Sequence, residues 1–146
     1  MHNLKKPSWY TSIHSLTDGK LCSYKANFGC EKYLSIVQNF NLRRSLTRLR
    51  LSAHQLAIEK GRYMGIPRHN RVCPRCSSGE IEDEMHFLFN CNSLKNERHK
   101  LISIIDNNCI NFTKLDIKSK LIWLMSNENT DILYELCSFI NMYEKQ

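Results

Sequence analysis

Apolar side chains recur at helical spacing in several segments of this 146-residue chain. The clearest segment predicts one continuous helix whose apolar stripe runs from Leu42 to Ala57, with apolar positions about every 3.6 residues. Its stripe consists of Leu42, Leu46, Leu49, Ala53, Leu56 and Ala57. Gly61 and Gly65, followed by Ile66-Pro67, are expected to end this helix. Weaker patterns predict helices over Glu31 to Phe40, Ser93 to Ile105, Leu115 to Met125 and Thr130 to Tyr143. The pattern therefore predicts a mostly α-helical fold.

The predicted helices divide the chain into three segments. Residues 1–41 form an N-terminal segment with one short helix, a turn signal at Asp18-Gly19, and Trp9 and Tyr10 as possible anchors. Residues 42–92 contain the long helix and a cysteine- and histidine-rich motif, and residues 93–146 contain C-terminal helices that we expect to pack on the same core. The length fits one small domain, and 42% hydrophobic residues are enough for a modest core.

Basic residues are concentrated in the first half of the chain. Residues 1–72 contain 13 Lys and Arg against 3 Asp and Glu, a net charge of +10, whereas residues 73–146 contain 8 against 11, a net charge of −3. Eight arginines and one lysine, Lys60, lie between residues 43 and 75. Arginine favours bidentate contacts with phosphate, so we expect RNA or DNA as the partner. The alternative is a solubilising face or a surface for an acidic protein. The candidate nucleic-acid contacts are Arg43, Arg44, Arg48, Arg50, Arg62, Arg68, Arg71 and Arg75.

A C-x2-C-x9-H-x4-C array is the one motif that indicates metal chemistry. Its members, Cys73, Cys76, His86 and Cys91, offer four ligands for one tetrahedral Zn²⁺. Cys91 follows His86 by five residues, about 140° around an ideal α-helix, so we expect the chain to unwind or bend near Asn90 to Ser93. Buried thiols and a redox C-x-x-C are the alternatives, although the flanking sequence lacks the βαβ context of a redox motif. The fold class predicted is a small helical domain with one zinc-stabilised turn.

The acidic residues near the motif are interpreted as structural. Glu80, Glu82, Asp83 and Glu84 precede His86, where acidic side chains complement the dipole at the start of a helix. Four protein ligands leave no open position for a catalytic water, and the other aspartates are scattered singly. We therefore expect no enzymatic activity and no small-molecule substrate.

The remaining cysteines and the N-terminus point to a reducing compartment. Cys22, Cys30, Cys109 and Cys137 have no metal-like spacing, so buried thiols are the default interpretation. The count of seven cysteines is odd, and the sequence starts without the apolar core of a signal peptide. We expect an intracellular protein, nuclear or cytoplasmic, without a membrane span.

The order of these motifs resembles that of a known family. The stretch from Leu46 to Cys91, LTRLRLSAHQLAIEKGRYMGIPRHNRVCPRC followed by GEIEDEMHFLFNC, resembles the C-terminal zinc-binding region of non-LTR (LINE-type) retrotransposon reverse transcriptases. The segment from Lys20 to Leu34 is similar to the part that precedes it, so the resemblance covers about half the chain strongly and most of it loosely.

The resemblance implies a module from the end of a long multidomain enzyme that grips template RNA or target DNA during target-primed reverse transcription. It implies zinc ligation by Cys73, Cys76, His86 and Cys91, and a basic run formed by the arginines of residues 43–71. The clustered carboxylates of a polymerase or a nuclease are missing from this chain, so we expect neither activity. The rest of a parent reverse transcriptase is a further expected partner.

Overall fold

The structure, a computed structural model, describes residues 29–144. The predictions for the turn at Asp18-Gly19, for Trp9 and Tyr10, and for Cys22 lie outside the described residues. The described part is mostly helical and contains no strand, which confirms the predicted fold class in its helical content. Its helices are α1 (Tyr33–Ile36), α2 (Phe40–Arg50), α3 (Ala57–Tyr63), α4 (Lys95–Asn108), α5 (Ile117–Ser126) and α6 (Thr130–Glu144). None of these helices within residues 29–144 is long and apolar enough to cross a membrane.

Helix α6 is the centre of the hydrophobic core. It packs against α2 on one side and against α4 on the other. Leu133, Cys137 and Ile140, the stripe predicted for this helix, are all buried. All six labelled helices contribute buried side chains to the same cluster. Full burial of one large aliphatic side chain stabilises the fold by about 1.5–3 kcal/mol, so α6 is a main source of stability.

The prediction of one continuous helix from Leu42 to Ala57 is wrong. Helix α2 ends at Arg50, because Ser52 adopts a left-handed conformation with φ of 52°. The N–H of Ala53 donates to the carbonyl of Arg48 at 2.8 Å and that of Ser52 to Leu49 at 3.3 Å, the two hydrogen bonds of a Schellman motif. The apolar stripe nevertheless continues past the break in the sequence, and its member Leu56 is buried at the start of α3.

The helix predicted over Glu31 to Phe40 is also much shorter in the structure. Only Tyr33–Ile36 is helical, and Phe40 begins the next helix. Asn39 is the reason, since its side-chain oxygen accepts hydrogen bonds from the N–H groups of Asn41 and Leu42 and caps α2. Phe40 is therefore 64% exposed, instead of completing the apolar face of an earlier helix.

The later helices lie close to their predicted positions. Helices α5 and α6 begin and end within about two residues of the prediction, a normal uncertainty for helix boundaries. The helix predicted from Ser93 begins at Lys95 as α4, and the hydroxyl of Ser93 donates to the carbonyl of Arg75 at 2.6 Å. Residues Asn92–Leu94 instead form a 3-10 turn that leads into the helix.

Candidate metal centre

The four predicted ligands come together in space. The ligand atoms of Cys73, Cys76, His86 and Cys91 all lie within 4.8 Å of one another. Sγ of Cys73 lies 3.9 Å from Sγ of Cys91, and Sγ of Cys76 lies 3.3 Å from Nε2 of His86. The four side chains are thus close enough to hold one metal ion.

A turn closed by one antiparallel β-bridge positions the first two ligands. The N–H of Cys73 donates to the carbonyl of Glu80 at 2.8 Å, and Val72 and Ile81 form an antiparallel bridge. Gly79 has a φ of 70°, a conformation that favours glycine, and the chain reverses here. The backbone pairing therefore brings Cys73 and Cys76 back towards the residues that follow.

A π turn positions the other two ligands. The residues His86–Asn90 are wound with i→i+5 hydrogen bonds, and the N–H of Cys91 donates to the carbonyl of His86 at 2.7 Å. In an α-helix Cys91 would lie about 140° around the axis from His86, and the larger number of residues in a π turn reduces this angle. The change in winding was predicted near Asn90 to Ser93, and the structure places it earlier, between the two ligands.

The acidic residues of the motif have separate partners. Asp83 accepts a hydrogen bond from the N–H of His86 at 2.9 Å and caps the turn, as the dipole argument predicted. Glu80 accepts from Nδ1 of His86 at 2.7 Å, and Glu84 pairs with Nε2 of the buried His54 at 2.9 Å. The helix-dipole interpretation is therefore incomplete, because only Asp83 acts at the helix start.

The Glu80 contact has a consequence for metal binding. A carboxylate accepts hydrogen bonds, so His86 donates from Nδ1, and in the neutral ring the lone pair is on Nε2, the nitrogen 3.3 Å from Sγ of Cys76. A carboxylate behind a ligating histidine orients the ring and raises its basicity, which is common at protein metal sites. The contact between Glu80 and His86 is therefore compatible with metal binding by the four residues.

Glu82 ties the site to the core. It is 3% exposed, accepts from the N–H of Ala57 at 2.7 Å and from the hydroxyl of Tyr143 at 3.1 Å, and lies 3.7 Å from Sγ of Cys73. Phe87, next to His86, stacks on Phe139 with ring centroids 5.1 Å apart. The two sides of the turn are therefore both fixed to α6.

Arg98 supports the π turn from α4, and sequence reasoning missed it. Its guanidinium donates to the carbonyls of Phe89 and Cys91, both at 2.7 Å, and the residue is 8% exposed. Burial lowers its pKa, because the charged form is desolvated. Nothing in the spacing of the motif marks Arg98, since it lies beyond the last ligand on a different helix.

The two thiols of the first turn differ in acidity. Burial raises the pKa of Cys73 to about 12, and the nearby Glu82 carboxylate acts in the same direction. Hydrogen bonds from Ser78 lower the pKa of Cys76 to about 6. A bound divalent cation would favour the thiolate form of both, because metal binding displaces the thiol proton.

The predicted nucleic-acid contacts have unequal environments. Arg50 is buried and donates to the carbonyl of Met125 at 2.8 Å and to Glu31 at 2.7 Å. Arg43 donates to the carbonyl of Leu34 at 3.0 Å, and Arg71 to those of Ile66 and Ile58. These three arginines support the local fold.

The side chain of Arg71 also explains why residue 61 of α3 is a glycine. A Cβ on Gly61 would lie 2.6 Å from Cγ of Arg71, so the arginine side chain passes directly over the backbone of α3. Gly61 therefore lies within the helix, not at its end, and Gly65, with φ of 68°, ends it as predicted.

The other arginines are half-buried or exposed. Arg62 pairs with Glu59 at 2.7 Å, Arg48 lies 3.6 Å from Glu144, and the guanidinium of Arg75 covers the ring of Tyr143 at 3.7 Å. Arg44 and Arg68 are exposed, and neither side chain makes a polar contact with another residue of the range 29–144. That any of these arginines binds nucleic acid stays a prediction.

Two clefts meet at Glu144, near the end of α6. The Lys60 cleft, about 520 Å³, is lined by Lys60, Arg71 and Arg75 together with Glu82 and Glu144. The Arg44 cleft, about 230 Å³, is lined by Arg44 and Arg48 and also borders Glu144. The fold thus gathers one part of the basic block around two adjoining clefts.

Comparison of the chain with models of known protein families, with curated proteins and with solved structures gives no match.

Proposed function

We propose that this chain is a zinc-stabilised nucleic-acid-binding module without catalytic activity of its own. The observation that carries the proposal is the position of the four-ligand site beside the Lys60 cleft. Arg75, two residues after Cys73, lines that cleft, and Glu82 also lines it and lies 3.7 Å from Sγ of Cys73. A metal at the site would therefore hold a basic surface in place.

Zinc fits the donor set better than other common divalent ions. Three thiols and one imidazole are soft or borderline ligands, and a closed tetrahedral site of this type is typical of structural zinc. A tetrahedral site with zinc–sulfur distances of about 2.3 Å places sulfur atoms about 3.8 Å apart. The 3.9 Å between the sulfur atoms of Cys73 and Cys91 agrees with that value.

RNA or DNA is the partner that the charge distribution favours. The Lys60 and Arg44 clefts are lined by five basic side chains and two acidic ones. Arg71 is engaged by backbone carbonyls and Glu82 by Ala57 and Tyr143, which leaves four basic side chains against Glu144. Contacts of this kind are directed at phosphates, so we expect weak sequence preference and strong salt dependence. The resemblance to the C-terminal region of non-LTR reverse transcriptases supports the same function, and shared descent with that region is part of the proposal.

A second candidate function is a protein-interaction module. Tyr63 and Met64 at the end of α3 are 76% and 71% exposed, and Val72 beside them is 41% exposed. Met64 and Val72 also line the Lys60 cleft. Exposed apolar side chains rimmed by charges are typical of protein contacts, for example with the rest of a parent reverse transcriptase.

The test is a charge-neutralised triple variant, Arg44→Gln with Arg48→Gln and Lys60→Gln. None of these three side chains is buried, so the fold should persist. The matched control, Lys32→Gln with Lys100→Gln and Lys118→Gln, removes the same charge outside both clefts. Arg43, Arg50 and Arg71 are left intact, because their hydrogen bonds support the fold.

The measurement is the affinity for a single-stranded RNA and for a DNA duplex between about 50 and 200 mM salt. We expect the triple variant to bind more weakly, with a slope of log K against log salt that is smaller by about 2, since each neutralised phosphate contributes about 0.7–0.9. Equal losses in both variants, or no binding by the unaltered chain, would contradict the proposal and favour the protein-interaction function.

A further inference from the structure

A third basic cleft lies outside the arginine block, between α4 and α5. Lys95, Arg98, His99 and Ile102 have the i, i+3, i+4, i+7 spacing that places them on one face of α4. They face Lys120 of α5 across a cleft of about 300 Å³, here named the Lys120 cleft. This volume is at the lower end of the range of about 300–1,000 Å³ typical of small-ligand sites.

The charged side chains of this cleft have few partners. None of the lining residues is acidic. Within residues 29–144, the side chains of Lys95, His99 and Lys120 form no hydrogen bond or ion pair, whereas Lys100 on the same helix pairs with Glu135 at 2.7 Å. Glu97 is near enough to affect Arg98, but it does not line the cleft. The cleft therefore attracts an anion.

Arg98 adds a buried donor to the cleft. The residue is 8% exposed, and while its Nη atoms bond to backbone carbonyls of the π turn, its Nε is buried without a hydrogen-bond partner in the described part of the chain. An unsatisfied buried donor of this kind calls for an explanation. Because Arg98 lines the cleft, its positive charge adds to the attraction for an anion held there.

The remaining wall of the cleft is largely apolar. Phe89, Ile102 and Phe112 line it together with Thr113, and Nζ of Lys120 lies 5.9 Å from the ring centroid of Phe112. A hydrated inorganic ion makes no use of such a wall. A phosphate that carries a sugar and a base can contact the cations with one end and the apolar side chains with the other.

We propose that the Lys120 cleft binds the phosphate of a nucleotide, with Lys95, Arg98, His99 and Lys120 as its contacts. The phosphate can belong to a nucleic-acid strand held at the Lys60 and Arg44 clefts, or to a free nucleotide. The first source rests on the proposed function, and the second does not.

The experiment uses the metal-loaded full chain and three probes: adenosine monophosphate, adenosine, and a single-stranded RNA. NMR should show that adenosine monophosphate shifts the Arg98 Nε–H signal and the ring signals of His99, while adenosine leaves both unchanged. Lys95→Gln combined with Lys120→Gln should weaken the binding of the monophosphate about tenfold, on the order of one charge-assisted hydrogen bond. Lys100→Gln with Lys118→Gln is the control, because it removes the same charge from the same two helices outside the cleft.

The outcomes separate this proposal from the proposed function. Binding of RNA that the Lys95/Lys120 variant leaves unchanged, together with no effect of the monophosphate on Arg98, overturns the cleft and leaves the function standing. Binding of the monophosphate in the cleft without any binding of RNA supports the cleft with a free nucleotide and contradicts the function. Equal binding of adenosine and its monophosphate would also overturn the assignment of a phosphate.

Discussion

The backbone N–H of Cys91 donates to the carbonyl of His86 at 2.7 Å, which closes a π turn between two candidate metal ligands. The four-residue gap between His86 and Cys91 is compatible with a common metal because the π turn holds one more residue than an α-helical turn. The carbonyls of Phe89 and Cys91 find their donor in Arg98 of α4, whose guanidinium donates a hydrogen bond to each of them at 2.7 Å.

Replacing Cys91 by Ser should abolish stoichiometric metal binding. The thiol of Cys91 is 1% exposed and belongs to the four-ligand group, and a hydroxyl is a poor substitute for a thiolate. Cys109→Ser is the control, since Cys109 is only partly buried and lies outside the group. Elemental analysis after gel filtration should give one zinc per chain for the unaltered protein and the control. Zinc retained in full by Cys91→Ser would exclude this ligand.

Replacing Glu80 by Ala should weaken metal binding without abolishing it. The carboxylate accepts from Nδ1 of His86 at 2.7 Å, and the loss of such an outer partner typically costs about 10–100-fold in affinity. Competition with a chromogenic chelator measures the change, and Glu97→Ala removes an acidic residue of α4 as a control. An unchanged affinity would show that Glu80 does not orient the ring.

Replacing Arg98 by Met should lower the free energy of unfolding by about 2–4 kcal/mol, since it leaves buried carbonyls of the π turn without donors. The arginine contacts two of them at 2.7 Å. Arg44→Met, at an exposed position, should change the value by less than about 0.5 kcal/mol. Urea denaturation of the zinc-loaded proteins provides the comparison, and equal effects of the two substitutions would contradict the role of Arg98.

Ser52→Gly should stabilise the protein by about 0.5–1 kcal/mol. Ser52 has a φ of 52°, which costs a residue with a Cβ about 1–2 kcal/mol, and its buried hydroxyl has no partner among the described residues. The greater freedom of glycine in the unfolded chain offsets part of this gain. Gly65→Ala is the reciprocal test, since φ there is 68° and nothing lies within 4 Å of the added Cβ, so strain alone should lower the melting temperature. The same sign of change in both variants would be inconsistent with this explanation.

Asp116 should contribute a pH-dependent part of the stability. A hydrogen bond from the hydroxyl of Ser119 lowers the pKa of this carboxyl, which also caps α5. Because the pKa is lower in the folded state, the stabilisation is present above the unfolded pKa of about 4 and is lost as the pH falls through the folded pKa. Asp116→Asn keeps an N-cap side chain without the charge. Its melting temperature should lie below that of the unaltered protein at neutral pH, and the difference should shrink in acid; a difference independent of pH would exclude the effect.

The ligand set of the candidate site could be predicted because it depends on local spacing. Two cysteines on a tight turn and a histidine and cysteine on the returning segment are specified by the order of the residues alone. The helical stripe of α6 was equally clear, since Leu133, Cys137 and Ile140 need only a regular period. The breaks between helices were harder to predict from the sequence. Ser52 ends α2 although glycine is the usual residue at such a position, and Asn39 starts it within what looked like a continuing apolar stripe.

Sequence alone determined that the described chain is helical and that Cys73, Cys76, His86 and Cys91 could share one metal. Tertiary structure decided which charged residues are available. Arg50, Arg71 and Arg44 belong to the same basic block of the sequence. The guanidinium of Arg50 bonds to the carbonyl of Met125 and that of Arg71 to the carbonyl of Ile58, whereas Arg44 is exposed. Arg98 and Lys120, separated by more than twenty residues, meet at one cleft. Periodicity within one helix specifies which face is apolar, but the partner of a polar side chain depends on which helix packs against that face.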